Sequence, residues 1–374
     1  MSLSHKQFKL LIDASLMTNI DPWSSTEIQD NEHMFSEFGL EKIPDAVRKK
    51  LDHHLFRRGI VIAHRDFGKV LQRIETKKPF INITGIASSG KLHLGHKVDI
   101  DLFVFFKSLG AKNYFAVSDI DAYVSRPKIQ NMNDATEIAQ ENIAHLLALG
   151  LEKKDLYVQS QKEPRYYEFA FEISKKITEN TYRAIYGHTD LGKVSAVLLQ
   201  IADILHPQLE EFEGTMPSIT GIGLEQDPHA KITRDVCKRL PYKLETPSFI
   251  YFKHQSGLQE GKKMSSSDPD TAIFLDDSPE EIKRKVNKAF SGGKDTLEEH
   301  RKQGGNPDID KTYEILKFHH PDDDLVKHTY QEYKNGKMLT GELKTLCREF
   351  LTETLAKHQE KVKKTMKIAE QMMK

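Results

Sequence analysis

The run Ile81-Asn82-Ile83-Thr84-Gly85-Ile86-Ala87-Ser88-Ser89-Gly90-Lys91-Leu92-His93-Leu94-Gly95-His96 decides the reading of the fold. Its β-branched opening, residues 81–84, predicts a buried strand. Gly85 and Ser88-Ser89-Gly90 predict a tight turn where a ligand can approach the backbone. From Leu94 an amphipathic pattern predicts a helix to about Leu109, with Gly110 as its stop. That order places unpaired N–H groups and the positive end of a helix dipole at the carboxyl edge of a sheet. Phosphates bind at such points. His93 and His96 flank Gly95 there as donors toward a phosphate, and Gly95 leaves room for a flat ring. A histidine-rich helix start without a ligand is the plainer alternative for so short a pattern.

Beyond this run, residues 113–118 predict a second strand that ends at Asp119-Ile120-Asp121. Asp121 is placed to pair with an amine, and Asp119 to support the turn. A helix is predicted over 135–149, a third strand over 156–159 and a last buried strand over 249–252. Helices over 166–177 and 182–186 read as a connecting insertion, and another helix covers 193–205. Strands alternating with helices predict an α/β fold, a doubly wound parallel sheet, over residues 79–278. Residues 1–78 read as an extension of short helices over 31–38, 46–56 and 64–74. Residues 279–374 are helical and charge-rich, and predict an all-helical C-terminal domain.

The 374 residues, 38% hydrophobic, suffice for two domains with cores of their own. Lys and Arg number 55, as do Asp and Glu, so no global basic field exists and RNA would need a local patch. Cys237 and Cys347 are too far apart in sequence for a metal-ligand cluster, no metal site is expected, and a reducing compartment is suggested. No apolar run spans a bilayer, so no membrane partner and a cytoplasmic location are expected.

A second stretch, Gly261-Lys262-Lys263-Met264-Ser265-Ser266-Ser267-Asp268-Pro269, is a polar cationic loop whose lysines and hydroxyls suit a polyphosphate. Together, His93-Leu94-Gly95-His96 and Lys263-Met264-Ser265-Ser266-Ser267 resemble the signature pair of class I aminoacyl-tRNA synthetases. More closely, the chain resembles the tryptophanyl enzymes of eukaryotic and archaeal type. Asp21-Pro22-Trp23, Phe56-Arg57-Arg58-Gly59-Ile60, Glu225-Gln226-Asp227-Pro228, Thr233-Arg234-Asp235, Phe290-Ser291-Gly292-Gly293 and Met338-Leu339-Thr340-Gly341-Glu342-Leu343 carry that resemblance from about residue 21 to the C-terminus.

The resemblance implies a Rossmann-like catalytic domain, a helical anticodon-reading domain, a homodimer, and ATP with Mg²⁺, tryptophan and tRNA(Trp) as ligands. It implies catalytic roles for His93, His96, Lys263, Ser265 and Ser267. ATP contacts are implied for Gly85, Ala87, Ser88, Gly95, Gly221, Gly223, Lys262 and Met264. The implied amino-acid site comprises Ile83, Asp121, Gln200, Asp203, Gln226 and Gln259. Where many class I loops carry a second lysine, Ser266 stands, so pyrophosphate charge is expected on Lys263 and Mg²⁺, with Lys262 or Lys91 as helpers.

The substrate pocket departs from the eukaryotic pattern. At the positions of the Tyr and Gln that hold the indole nitrogen stand Ile83 and Ala116, which offer no side-chain hydrogen bond. Bacterial tryptophanyl enzymes use an Asp in an Ala-Asp-Ile-Leu helix, which Ala202-Asp203-Ile204-Leu205 matches. Gln200 and Asp203 share a helix face. A buried lone carboxylate needs a partner, and an indole N–H is a single donor on an apolar ring. The expectation is a eukaryotic-like body with a bacterial-like indole pocket. A tyrosyl enzyme, or a synthetase-like tRNA-binding paralogue with altered catalysis, are the alternatives.

Overall fold

The computed structural model describes residue 35 and residues 39–374. Asp21-Pro22-Trp23, and the helix expected over 31–38 apart from Phe35, lie outside the described residues. In chain order these residues form β1 (Glu41–Lys42), α1 (Asp45–Lys50), α2 (His54–Arg57), β2 (Val61–Arg65), α3 (Gly68–Glu75), β3 (Ile81–Ala87), α4 (Leu94–Ser108), β4 (Lys112–Ser118), α5 (Asp119–Ser125), α6 (Met132–Ala148), β5 (Leu156–Val158), α7 (Pro164–Ser174), α8 (Glu179–Tyr186), α9 (Leu191–Leu205), β6 (Ser218–Gly223), α10 (Asp227–Arg239) and β7 (Ser248–Phe252). Helices α11 (Pro279–Lys288), α12 (Leu297–Gln303), α13 (Lys311–His319), α14 (Asp323–Lys334) and α15 (Thr340–Met372) follow.

The strands make one sheet in the order β1-β2-β7-β6-β3-β4-β5. From β7 to β5 neighbouring strands run parallel. The chain winds outward through β3, β4 and β5, then returns to lay β6 on the other side of β3. The order therefore reverses between β3 and β6, and that switch point opens a crevice at the carboxyl ends of the strands. This is the Rossmann-like fold expected, with an antiparallel edge of two further strands.

That edge corrects the reading of the N-terminal extension. Residues 64–74 are not one helix: His64 and Arg65 end β2, and α3 begins only at Gly68. Asp66, with φ at 54°, breaks the segment between them. The apolar run Ile60–Ala63 is fully or almost fully buried, because it pairs with β7 inside the sheet. Residues 46–56 likewise divide into α1 and α2.

The C-terminal helices share a core with the sheet. Phe103 and Phe115 belong to the same buried cluster as Leu316, Tyr333 and Leu351. Helix α15 runs along α6, where Thr365 Oγ1 donates to the Ala144 carbonyl at 2.7 Å and the rings of His145 and His358 meet at 2.8 Å. Among the described residues, no helix is long and apolar enough to cross a membrane.

Candidate active site

A cavity of about 550 Å³ fills the switch-point crevice. Its floor is the carboxyl ends of β3 and β6, and the α4 start and the 261–269 loop close it. Gly85 lies within β3 and not in the turn after it: a Cβ there would sit 2.7 Å from Ala116 Cβ and carbonyl oxygen, so only glycine lets the strands pass.

Of the expected residues, Ile83, Gly85, Ala87, Gly95, His96, Asp121, Gln200 and Asp203 line this cavity. Gly221, Gly223, Gln226, Lys263, Met264, Ser265 and Ser267 complete the set. Ser88, His93, Lys262 and Gln259 do not line it. Ser88 is wholly buried behind the turn. Lys262 turns away to pair with Asp268 at 2.9 Å. Gln259 faces a separate small cavity with Asp270, Arg284 and Lys285, because the loop reverses at Gly261. It is therefore removed from the amino-acid site.

The two signature histidines divide their work. His93 is the N-cap of α4: its Nδ1 accepts from Gly95 N at 3.1 Å. His96 Nδ1 accepts from His93 N at 3.2 Å, closing the reciprocal cap, and the rings stack with centroids 3.8 Å apart. Burial pushes the His93 pKa well down, and burial followed by repulsion from His254 and Arg126 lowers His96 to about 4. Both rings are neutral at pH 7. His96 accepts at Nδ1, so its proton sits on Nε2, free to donate into the cavity. The pair is a source of hydrogen bonds and not of positive charge, in line with the reading of His93 and His96 as donors.

At the other end, Asp203 is 6% exposed. Its Oδ1 accepts from the Tyr157 hydroxyl at 2.7 Å and the Tyr166 hydroxyl at 2.6 Å, and its Oδ2 from Gln159 Nε2 at 2.9 Å. Burial raises its pKa to about 6, against these three bonds. A carboxylate has about four acceptor positions, so Oδ2 retains one. Gln159 also accepts from Asp121 N at 3.0 Å, which ties the two carboxylate residues of the pocket together. Asp121 Oδ1 takes a bond from Ser125 at 2.8 Å, and burial raises its pKa. Ile83, Ala116, Ala196 and Ile204 line the same cavity, together with Gln200 one turn before Asp203 on α9.

Several lining residues escaped sequence reasoning. Asp99 lies one turn beyond His96 and accepts from Thr84 Oγ1 at 2.9 Å, and burial pushes its pKa up to about 7. Its place on the His96 face of α4 was a legible signal. His254 pairs with Glu225. Burial works against the Glu225 charge, but His254 and Lys263 outweigh it and hold the carboxyl at about 2. Glycine at 223 leaves the space this pair fills. Arg126 and His229 also line the cavity. Nothing local marks Tyr157, Gln159 or Tyr166, since only the packing of α9 on β5 and α7 brings them to Asp203.

Residues 75–356 match the family described as tRNA synthetases class I (W and Y). The chain is 38% identical over 361 residues to the tryptophan–tRNA ligase of Aeropyrum pernix, covering 94% of this chain and 96% of that one. It is 32% identical over 365 residues to the cytoplasmic tryptophan–tRNA ligase of Saccharomyces cerevisiae, covering 91% and 83%. The crystal structure of tryptophanyl-tRNA synthetase from Aeropyrum pernix K1 superposes with a TM-score of 0.87 at 37% identity, over 94% of this chain and 98% of that one. With the switch-point cavity, the capped histidine pair and the loop that closes over it, these matches place the chain in the class I tRNA synthetase family of the W and Y type.

Proposed function

We infer that this chain is a tryptophan–tRNA ligase: it activates tryptophan with ATP and transfers the aminoacyl group to tRNA(Trp). The observation that carries the choice of substrate is the single acceptor position left on Asp203, a carboxylate already bonded by Tyr157, Tyr166 and Gln159. An indole N–H fills it. A phenol would also need a donor for its oxygen, and Ile83 offers none on the first strand.

In this reading the tryptophan carboxylate attacks the α-phosphorus of ATP, pyrophosphate leaves, and the tRNA 3′-terminal ribose hydroxyl then attacks the adenylate. No protein nucleophile is required. The protein aligns the reactants and stabilises phosphate charge. Asp121 pairs with the substrate ammonium, and Gln226 lies beside it. His96 Nε2–H and the N-terminus of α4 meet the phosphates. Lys263, Ser265 and Ser267 close over the leaving group. Mg²⁺ would arrive on the ATP phosphates and add Lewis-acid stabilisation. Two strongly exposed apolar side chains, Phe171 at 74% and Leu191 at 82%, lie on the connecting helices and support a homodimer contact there. A cytoplasmic setting agrees with two free, buried cysteines.

The test is amino-acid-dependent ATP–pyrophosphate exchange with tryptophan and tyrosine side by side. Exchange with tryptophan alone is expected. Exchange with tyrosine alone would overturn the pocket reading, and exchange with neither would make the chain a non-charging paralogue.

A further inference from the structure

The signature loop carries Ser266 where many class I loops carry a second lysine, and the basic residues expected to compensate are engaged elsewhere. Lys91 pairs with Asp276 at 2.6 Å and Lys262 with Asp268 at 2.9 Å. Neither lines the cavity. The segment after α5 instead brings one cation, Arg126, into the cavity and a second, Lys128, to the phosphate turn outside it. Arg126 lines the cavity beside His96, Ser89 and Asp121. Its Nε is buried without a hydrogen-bond partner, and its charge is felt at Asp121 and His96. A guanidinium donates through five N–H groups, and an Nε–H buried without a partner is a donor that a ligand in the cavity can satisfy.

Local sequence holds this arrangement. Pro127 biases the residue before it toward extended backbone, and Arg126 sits at φ −114°, ψ 107°. Ile129 N then donates to the Arg126 carbonyl at 3.0 Å, closing a turn that carries Lys128. A methyl group at Gly90 would lie 3.4 Å from Lys128 Nζ and 2.9 Å from Ser266 Cβ. Lys128 therefore reaches the spot where the phosphate turn meets the residue that replaces the loop lysine. Ser266 is held there by its bond to the Lys91 carbonyl at 3.2 Å.

We propose that Arg126 and Lys128 bind the phosphates of the nucleotide, supplying from the segment after α5 the positive charge that the signature loop lacks at Ser266. Burial, followed by repulsion from Arg126, lowers the Lys128 pKa, which agrees with the two cations lying near one another. The proposal rests on reading the cavity as an ATP site.

Arg126→Ala, Arg126→Lys and Lys128→Ala are compared with the wild type by equilibrium binding of ATP, AMP and tryptophan, and by tryptophan-dependent exchange. Arg126→Ala is expected to weaken ATP about tenfold or more, as loss of a charged hydrogen bond does. AMP and tryptophan affinity should change far less, and Arg126→Lys should restore most of the ATP affinity. Lys128→Ala should weaken ATP in the same direction. Equal weakening of ATP and AMP would overturn the proposal, as would a rise in tryptophan KM alone, which would assign Arg126 to Asp121. Unchanged ATP affinity in Arg126→Ala, with ATP bound by the wild type, overturns the proposal alone. A wild type that binds no ATP overturns the reading of the site as well.

Discussion

At the residue scale, Asp203 has an environment that fits one ligand group. Its Oδ1 is filled by two tyrosine hydroxyls, and its Oδ2 is half filled by Gln159. Asp203→Asn keeps the volume but turns an acceptor into a donor, so the tryptophan KM should rise about tenfold or more with a smaller change in kcat. Steady-state exchange kinetics check this, and an unchanged KM would remove Asp203 from indole recognition. Asp99 makes a separate prediction. Burial raises its folded pKa to about 7, above the ordinary aspartate value of 3.8. The unfolded chain then loses this proton first, so Asp99 makes the protein less stable as pH rises from about 4 through 7. Asp99→Asn should therefore raise the melting temperature at pH 8 more than at pH 5, which calorimetry at the two pH values measures.

At the element scale, strand β2 is held by more than its ladder. Arg65 donates to Asp227 at the start of α10 from Nε at 3.0 Å and from Nη2 at 2.9 Å, and Asp227 is 1% exposed. Tyr251 on β7 donates to the same carboxylate at 2.7 Å. Arg65→Ala leaves a buried carboxylate short of its main partner and should cost about 3 kcal/mol. Urea unfolding would show this as a lower midpoint with an unchanged slope. A loss under about 1 kcal/mol, the worth of an ordinary exposed pair, would mean that Tyr251 and Lys231, whose Nζ lies 3.1 Å from Asp227 Oδ2, suffice. The extension before residue 79 is thus a structural part of the catalytic sheet, joined through β1 and β2.

At the scale of the molecule, buried histidines set the response to acid. Burial is the main cause in each case, and it lowers His53 and His206 to about 3, and His96 and His358 to about 4. Between these values and the ordinary 6.5 the unfolded state binds more protons, so the histidines' contribution to stability is full above pH 6.5 and falls as pH drops toward 4, opposed by the smaller number of raised buried aspartates. Thermal melts from neutral pH down to this range should show a steady decline, and a flat profile would contradict the burial of these rings. The exposed Phe171 and Leu191 make the second prediction at this scale: changing both to Glu should convert a dimer to a monomer in sedimentation while leaving the melting temperature within a few degrees. A monomeric wild type would end the dimer reading.

The strand–turn–helix at residues 81–96 and the alternation that makes a doubly wound sheet are legible along the chain, because they follow from local periodicity and turn chemistry, whereas most of the expected cavity residues came from the family resemblance. Packing in three dimensions chose which members of those motifs face the ligand. His93 and His96 each spend Nδ1 in the reciprocal cap, and only His96 lies in the cavity wall. Gln259 left the site because the loop reverses beyond it. Residues 61–65 became a strand, although they precede a helix, because β7 offered an unpaired edge to an apolar run. The donors around Asp203 come from β5, the turn after it and α7, and Arg126 from the end of α5. Contacts of that kind depend on how distant segments pack, and no spacing along the chain encodes them.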